Sequence, residues 1–356
     1  MAPFNCTRRY PVSVLTTSHT NDKPLKPEEA TNITLTKDSL EAEDNSGRFE
    51  IMKPPGAWKD FYDRILTEKG KGNKRKAANF TTPFNGERYR CILADSSGGQ
   101  VLTMRKLMKL IPRIDKDLGL DWNAIRPLLE GSGLTIFAGQ MSSGKSTTMI
   151  SAIEQLGRKR GNLGTVEDPI EVEFQGGGVI QREVGTHVES FAEAIRDFVR
   201  QYRNTIMVGE IRDPETADAA VLAASLGHSV VGTLHADSAI DIPSRMATIL
   251  DPKLTRVLPS VLRGLWWQHV YRRGDGKSKP LPIYESLYVT NSVRQIIADG
   301  PEKLPQLMNE MVSQKRVSMA QSATAWVSKN QATREELRQW LETRGRINDS
   351  QLDYVR

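Results

Sequence analysis

Residues 134–146 constrain the fold of this chain more than any other stretch. Leu134-Thr135-Ile136-Phe137-Ala138 has the length and composition of one buried strand. Directly after it, Gly139-Gln140-Met141-Ser142-Ser143-Gly144-Lys145-Ser146 satisfies the pattern G-x-x-x-x-G-K-[ST], with Thr147 following. The next residues predict a helix over 145–158. A loop of this pattern works only between a strand and a helix, because its N–H groups and the helix N-terminus must converge on an anion. Lys145 is then placed to reach the β- and γ-phosphates of a nucleotide, and the Ser146 hydroxyl to hold Mg²⁺. Gln140, Met141 and Ser142 stand where many such loops carry Pro-Thr-Gly. A side chain at 142 predicts an ordinary negative φ unless the backbone is strained. Either outcome alters affinity or turnover without abolishing binding.

The pattern after the loop alternates. Strands are predicted at 161–166, 206–208 and 229–234, and helices at 192–202 and 214–226. Such alternation means a mostly parallel sheet with helices on both faces. Beyond residue 250 the chain reads as mostly helical, with a break over 274–282. Trp266 and Trp267 fall inside that helical reading, where neighbours point to different faces, so burial against a helix is expected rather than one shared core. Leu337, Trp340 and Leu341 form a narrow apolar stripe on a charged C-terminal helix and predict packing against its own domain.

Three strand ends carry chemistry. Ile206-Met207-Val208-Gly209-Glu210 ends in a carboxylate that can orient and deprotonate an attacking water. Thr165-Val166-Glu167-Asp168-Pro169-Ile170-Glu171 puts three carboxylates within five residues, a cluster that needs a cation nearby, and Mg²⁺-nucleotide is the expected one. Gly232-Thr233-Leu234-His235 places a histidine where it can hydrogen-bond a γ-phosphate; His228, just before that strand, is the weaker candidate.

The 356 residues carry 49 Lys+Arg against 43 Asp+Glu. A net charge of +6 permits an anionic partner and requires none. Two cysteines, Cys6 and Cys91, exclude a disulfide framework and a four-cysteine zinc module, and fit a reducing compartment. No apolar run is long enough for a membrane span, and the residues after Arg8-Arg9 are too short an apolar region for an export signal, so a cytoplasmic protein is expected. Residues 1–50 read as a polar, poorly ordered arm. Residues 51–112 read as a small α/β domain, with a helix around Trp58, Phe61, Tyr62, Ile65 and Leu66, and strands at 89–93 and 101–103. Between them Lys69-Gly70-Lys71-Gly72-Asn73-Lys74-Arg75-Lys76 reads as a loop, either solvated or in contact with phosphate or anionic lipid. Residues 113–130 follow as linker and helix, 131–290 as the phosphate-loop core and 291–356 as a helical C-terminal region.

Four segments in this order resemble a known family. Residues 139–147, 165–171, 209–213 and 227–235 resemble the Walker A, Asp box, Walker B and His box of PilT/GspE-type secretion ATPases. Gln181-Arg182-Glu183-Val184-Gly185 and Leu262-Arg263-Gly264 are similar to further stretches of that family, and the likeness covers residues 85–300. The PilT-like branch fits best, and within it the DotB/TraJ ATPases of type IVB secretion and plasmid conjugation; the assembly branch usually carries a zinc insert that two cysteines cannot supply. The resemblance implies an α/β fold: a RecA-like P-loop core, a small N-terminal α/β domain of PAS-like form and a mostly helical C-terminal part. It implies ATP and Mg²⁺ as ligands, Glu210 as base, Glu167 assisting at water or metal, and His235 sensing the γ-phosphate. It also implies arginines donated by a neighbouring subunit, for which Arg88, Arg90 and Arg105 match. Two departures stand out: Gln201-Tyr202-Arg203-Asn204 occupies the place of an acidic Asp-Pro-Asp, and the first 50 residues lack the usual opening.

The implied protein is a homohexameric motor that hydrolyses ATP for a type IV secretion, conjugation or pilus-type apparatus at the inner membrane. Nucleic acid is not required. A pilus retraction motor, a RecA-like nucleic-acid translocase and a slowly turning nucleotide-gated subunit are the alternatives.

Overall fold

The structure is a computed structural model that describes residues 24–44, 48–69, 78–273, 279–315 and 318–343. By its contacts the chain divides after Leu107. Of the basic run, Lys69 ends a helix and the other residues lie outside the described ones.

The first unit is an antiparallel sheet of β1 (Asn32–Leu35), β2 (Leu40–Glu43), β3 (Phe49–Met52), β4 (Ala78–Phe84), β5 (Glu87–Ser96) and β6 (Gly99–Lys106), in the order β3-β2-β1-β6-β5-β4. Helix α1 (Gly56–Lys69) buries Trp58, Phe61, Tyr62 and Ile65, spaced i, i+3, i+4, i+7. They pack with Ile33, Leu35, Leu40, Ala42, Tyr89, Cys91, Leu93, Leu102 and Met104 from one face of the sheet. The β4–β5 turn uses Asn85 and Gly86, both at positive φ (48° and 74°), as a two-residue hairpin demands.

Residues 24–50 therefore differ from the expected polar arm wherever they are described. Ile33, Leu35, Leu40 and Ala42 are at most 1% exposed. Each strand is only four residues long, with two inward positions apiece. So few apolar residues give a weak period-2 signal among polar neighbours.

The second unit opens with α2 (Trp122–Leu129), whose Asp121 carboxylate accepts from the Asn123 N–H as N-cap. Then follow β7 (Gly133–Ala138), α3 (Lys145–Leu156), β8 (Leu163–Glu167), β9 (Val179–Glu183), α4 (Phe191–Arg200), β10 (Thr205–Val208), α5 (Pro214–Ser225), β11 (Ser229–Leu234), α6 (Ile242–Ile249), α7 (Pro252–Thr255) and α8 (Leu258–Val261). Strands β12 (Leu262–Tyr271) and β13 (Leu281–Tyr288) complete the sheet, in the order β13-β12-β7-β11-β10-β8-β9. Among the described residues of this sheet only the β12–β13 pair is antiparallel. Successive strand residues feed opposite layers. Ile136, Ile206, Val208 and Val230 face α4 and α5, while Phe137, Met207 and Val231 face α2 and α3. Both faces being covered, these strands carry apolar residues on both sides.

Residues 262–271 and 281–288 are strands, against the helical expectation. Trp266 and Trp267 do point to opposite faces, but of a sheet: Trp266 packs with the α2–α3 layer and Trp267 with the other. Gly264 is explained by the same placement, because a Cβ there would stand 2.7 Å from Leu128 Cβ of α2. Helices α9 (Asn291–Asp299), α10 (Leu307–Ser313), α11 (Met319–Ser328) and α12 (Arg334–Thr343) follow. In α12, Leu337 and Leu341 are buried, and the Trp340 ring lies against His269 and Tyr271 of β12.

Candidate active site

The parallel strands end in register, and that register assembles the site. Leu234 pairs with Ala138, Gly232 with Val208, and Val208 with Val166. The loop after β7, His235 after β11, Glu210 after β10 and Glu167 at the end of β8 therefore emerge side by side at one edge. This is the carboxyl edge where open α/β sheets bind ligands. Gly209 makes the β8–β10 contact possible, since a Cβ there would lie 3.1 Å from the Val166 carbonyl oxygen.

The loop 139–144 wraps the start of α3. Gly144, its N-cap, takes a left-handed φ of 77°. Ser142 does too, at φ 59°, so the expected ordinary backbone at 142 is not what forms. A serine held there costs about 1 kcal/mol and persists only where its surroundings fix it. Met141 is 82% exposed at the tip. Ser146 and Thr147 lie half-buried in the first turn of α3.

Lys145 is buried, and its Nζ donates to the Gln140 carbonyl at 3.2 Å. Among the described residues no carboxylate oxygen lies within ion-pair distance of it. Burial pushes its pKa down, while Glu210 and Glu171 push it back up. Ser143 is 1% exposed, and its Oγ has no hydrogen-bond partner among the described residues. A buried ammonium facing no anion, an orphaned buried hydroxyl and a loop of left-handed residues all fit a polyphosphate.

The two carboxylates differ. Glu167 is 3% exposed; it accepts from the Thr165 hydroxyl at 2.7 Å and the Gln181 amide at 3.1 Å. Burial raises its pKa to about 7, against those hydrogen bonds, which lower it. Glu210 is more open. His235 Nε2 stands 3.3 Å from its Oε1, and Arg212 3.8 Å from its Oε2. Arg212 also lies 3.6 Å from Asp168 and over the Phe191 ring. Part of the cation expected beside the acidic cluster is therefore this arginine.

Residues 121–348 match the type II/IV secretion system protein family. The chain belongs to that family. The type II secretion system protein E of Aeromonas hydrophila is 41% identical over 157 residues, 42% of this chain and 31% of that protein. The protein E of Pectobacterium carotovorum subsp. carotovorum is 40% identical over 196 residues, 53% of this chain and 38% of that one. The chain thus spans about a third of the length of these two relatives. A crystal structure of the pilus retraction motor PilT with bound ADP superposes with a TM-score of 0.74 at 29% identity, covering 86% of this chain and 92% of that one. The ATPase DotB of Legionella pneumophila superposes at 0.72 with 24% identity over 87% and 91%, a likeness of fold. The fold of this secretion-family chain is a RecA-like P-loop core with a small N-terminal α/β domain.

The sequence marks Gln181-Arg182-Glu183 by family likeness but not by role, which is to hold the loops of the site. Gln181 bridges the Asp-box loop, donating to Glu167 and the Val172 carbonyl and accepting from the Phe174 N–H. Glu183 accepts from the Ile170 N–H and the Thr186 hydroxyl. The signal lay in Gln181-Arg182-Glu183, a run with too many polar residues for an ordinary strand. His228 is not part of the site: it precedes β11 at the opposite end of the strands, and its Nδ1 meets the Arg203 carbonyl at 2.7 Å.

The arginine candidates lie in the first unit. Arg90 of β5 pairs directly with Arg105 of β6, and Arg88 is two residues along the same face as Arg90. That face is the one α1 does not cover, since the alternate residues Tyr89, Cys91 and Met104 are the buried ones.

Proposed function

We propose that the chain is the ATP-hydrolysing motor of a type IV secretion or conjugal-transfer apparatus, working as a homohexamer in the cytoplasm, peripheral to the inner membrane. One observation carries the enzymatic part: the buried Lys145 ammonium, without a carboxylate partner, beneath a loop whose neighbouring strand ends hold Glu167, Glu210 and His235. Among the described residues no helix is long and apolar enough to cross a membrane.

Each residue has a task that follows from its surroundings. The N–H groups of residues 139–147 and the Lys145 ammonium hold the phosphates of ATP. Mg²⁺, when bound through the Ser146 hydroxyl and Glu210, neutralises phosphate charge. Glu210 orients the attacking water and takes its proton, and His235 lies close enough to report the γ-phosphate to it. Glu167, near neutrality in pKa, is a second proton acceptor. Arg88, Arg90 and Arg105, on the sheet face that α1 does not cover, complete the site of a neighbouring copy, as charge stabilisation in trans does in other phosphoryl-transfer enzymes.

Phosphate release from ATP tests the claim. Lys145→Ala or Glu210→Gln is expected to lower turnover at least a hundredfold; either variant hydrolysing ATP at the wild-type rate contradicts it. A pilus-type retraction motor is the second reading, favoured by the likeness to PilT at 29% identity over most of both chains.

A further inference from the structure

Strand β12 runs beneath the phosphate loop, and one of its side chains reaches into it. Gln268 is 2% exposed. Its Nε2 donates to the Ser143 carbonyl at 2.8 Å. Its Oε1 accepts from the Thr148 hydroxyl at 2.8 Å and from the Trp266 indole N–H at 3.2 Å. An indole N–H can only donate, so the end of the amide facing Trp266 is the oxygen and the end facing Ser143 is the NH₂. The same residue sets the shape of the loop's glycines. A Cβ on Gly139 would lie 2.3 Å from the Gln268 carbonyl oxygen, and one on Gly144 would lie 2.9 Å from its Nε2.

We infer that Gln268 is a positioning residue for the phosphate loop: by holding the Ser143 carbonyl against β12 it aims the Gly144 N–H at the bound phosphates. This rests on the reading of the loop as a nucleotide site. The peptide joining Ser143 to Gly144 is planar and trans, so its C=O and N–H point in opposite directions. Anchoring the carbonyl on the β12 side turns the N–H away from β12, into the concavity that receives an anion. The anchor matters because Ser142 and Gly144, on either side of Ser143, both have left-handed backbone, at φ 59° and 77°. A rigid partner is what keeps such a stretch in one arrangement. Gln268 is suited to this, since Thr148 and Trp266 fix its orientation and it is buried among them.

The test uses Gln268→Met, which keeps the volume and removes all three hydrogen bonds. Calorimetry on the full chain gives the affinities for Mg-ADP and for AMP, with thermal melting alongside. The misaimed N–H should weaken Mg-ADP about tenfold and leave AMP within about twofold, so that the ADP-over-AMP ratio falls about tenfold. An unchanged ratio with a lowered melting temperature means that Gln268 supports only the fold, and overturns the inference. Wild-type protein that binds neither ligand overturns the nucleotide reading instead, and the inference with it. If Gln268→Met does not fold, Gln268→Asn keeps a neutral buried amide but is one methylene shorter, which withdraws the donor from Ser143. The same fall in ratio is expected of it, and an unchanged ratio again overturns the inference.

Discussion

The two sheets of this chain solve different problems. The sheet of the second unit is covered on both faces, and β7, β8 and β10 are buried at every residue. Within the first unit the sheet has its helix on one face; the other face carries Arg90 directly opposite Arg105, with Thr34, Ile92 and Thr103 in the next row. Like charges facing each other across a ladder are unfavourable, and among the described residues no ion pair relieves these two. In the core, by contrast, the buried cation Lys145 is kept where Glu210 and Glu171 raise its pKa against burial. One sheet exists to be packed and to fix strand ends; the other carries charge on the face that its own helix leaves.

Substitutions sharpen that contrast. Ile136→Ala, in a strand covered on both faces, should cost about 2–5 kcal/mol in denaturant unfolding. A loss below about 1 kcal/mol would mean that the sheet is looser than described. Glu167 gives a pH-dependent effect. Its carboxyl keeps its proton in the fold up to about pH 7, while the unfolded chain loses it near the usual 4.5. The folded state binds more protons between these values, so this group lowers stability as pH rises through that window. Measured from pH 4.5 to 7 without nucleotide, Glu167→Gln should gain on wild type by roughly 3 kcal/mol. A difference that does not change with pH would refute the raised pKa. Gly264→Ala forces a Cβ to within 2.7 Å of Leu128 Cβ and should cost about 1–3 kcal/mol, read in the same unfolding curves. The double change Arg90→Ala and Arg105→Ala should be the mildest, within about 0.5 kcal/mol or slightly stabilising, because it removes exposed like charges.

The contrast also explains what could be read from sequence. The buried parallel strands are continuous apolar runs, and Leu134 to Ala138, Ile206 to Val208 and Ser229 to Leu234 stand out without any structure. So do the strand-end residues Glu210 and His235, because each interrupts such a run with a polar group. Strands β1 and β2 did not stand out: four residues with two inward positions hardly differ from chance alternation. Strand β12 was hidden for another reason. Its run Leu262–Tyr271 has apolar residues on both faces, and a doubly buried strand and a buried helix share that feature. With β12 unseen, the Gln268 contact beneath the loop could not be found either. The left-handed Ser142 was invisible because serine seldom takes that conformation; only contacts from elsewhere in the fold make it affordable.

The account's central claim is that the core site of one copy is completed by the arginine face of another. Mixing two inactive proteins tests it most directly. Glu210→Gln lacks the base, and the double change Arg90→Ala and Arg105→Ala lacks the donated charge; each alone should release phosphate from ATP at no more than about a hundredth of the wild-type rate. In mixed assemblies some sites combine an intact Glu210 with intact arginines from a neighbour, so the account predicts that activity returns, rising to a maximum near equal proportions. Mixed assemblies that form and stay as inactive as their parts would contradict it.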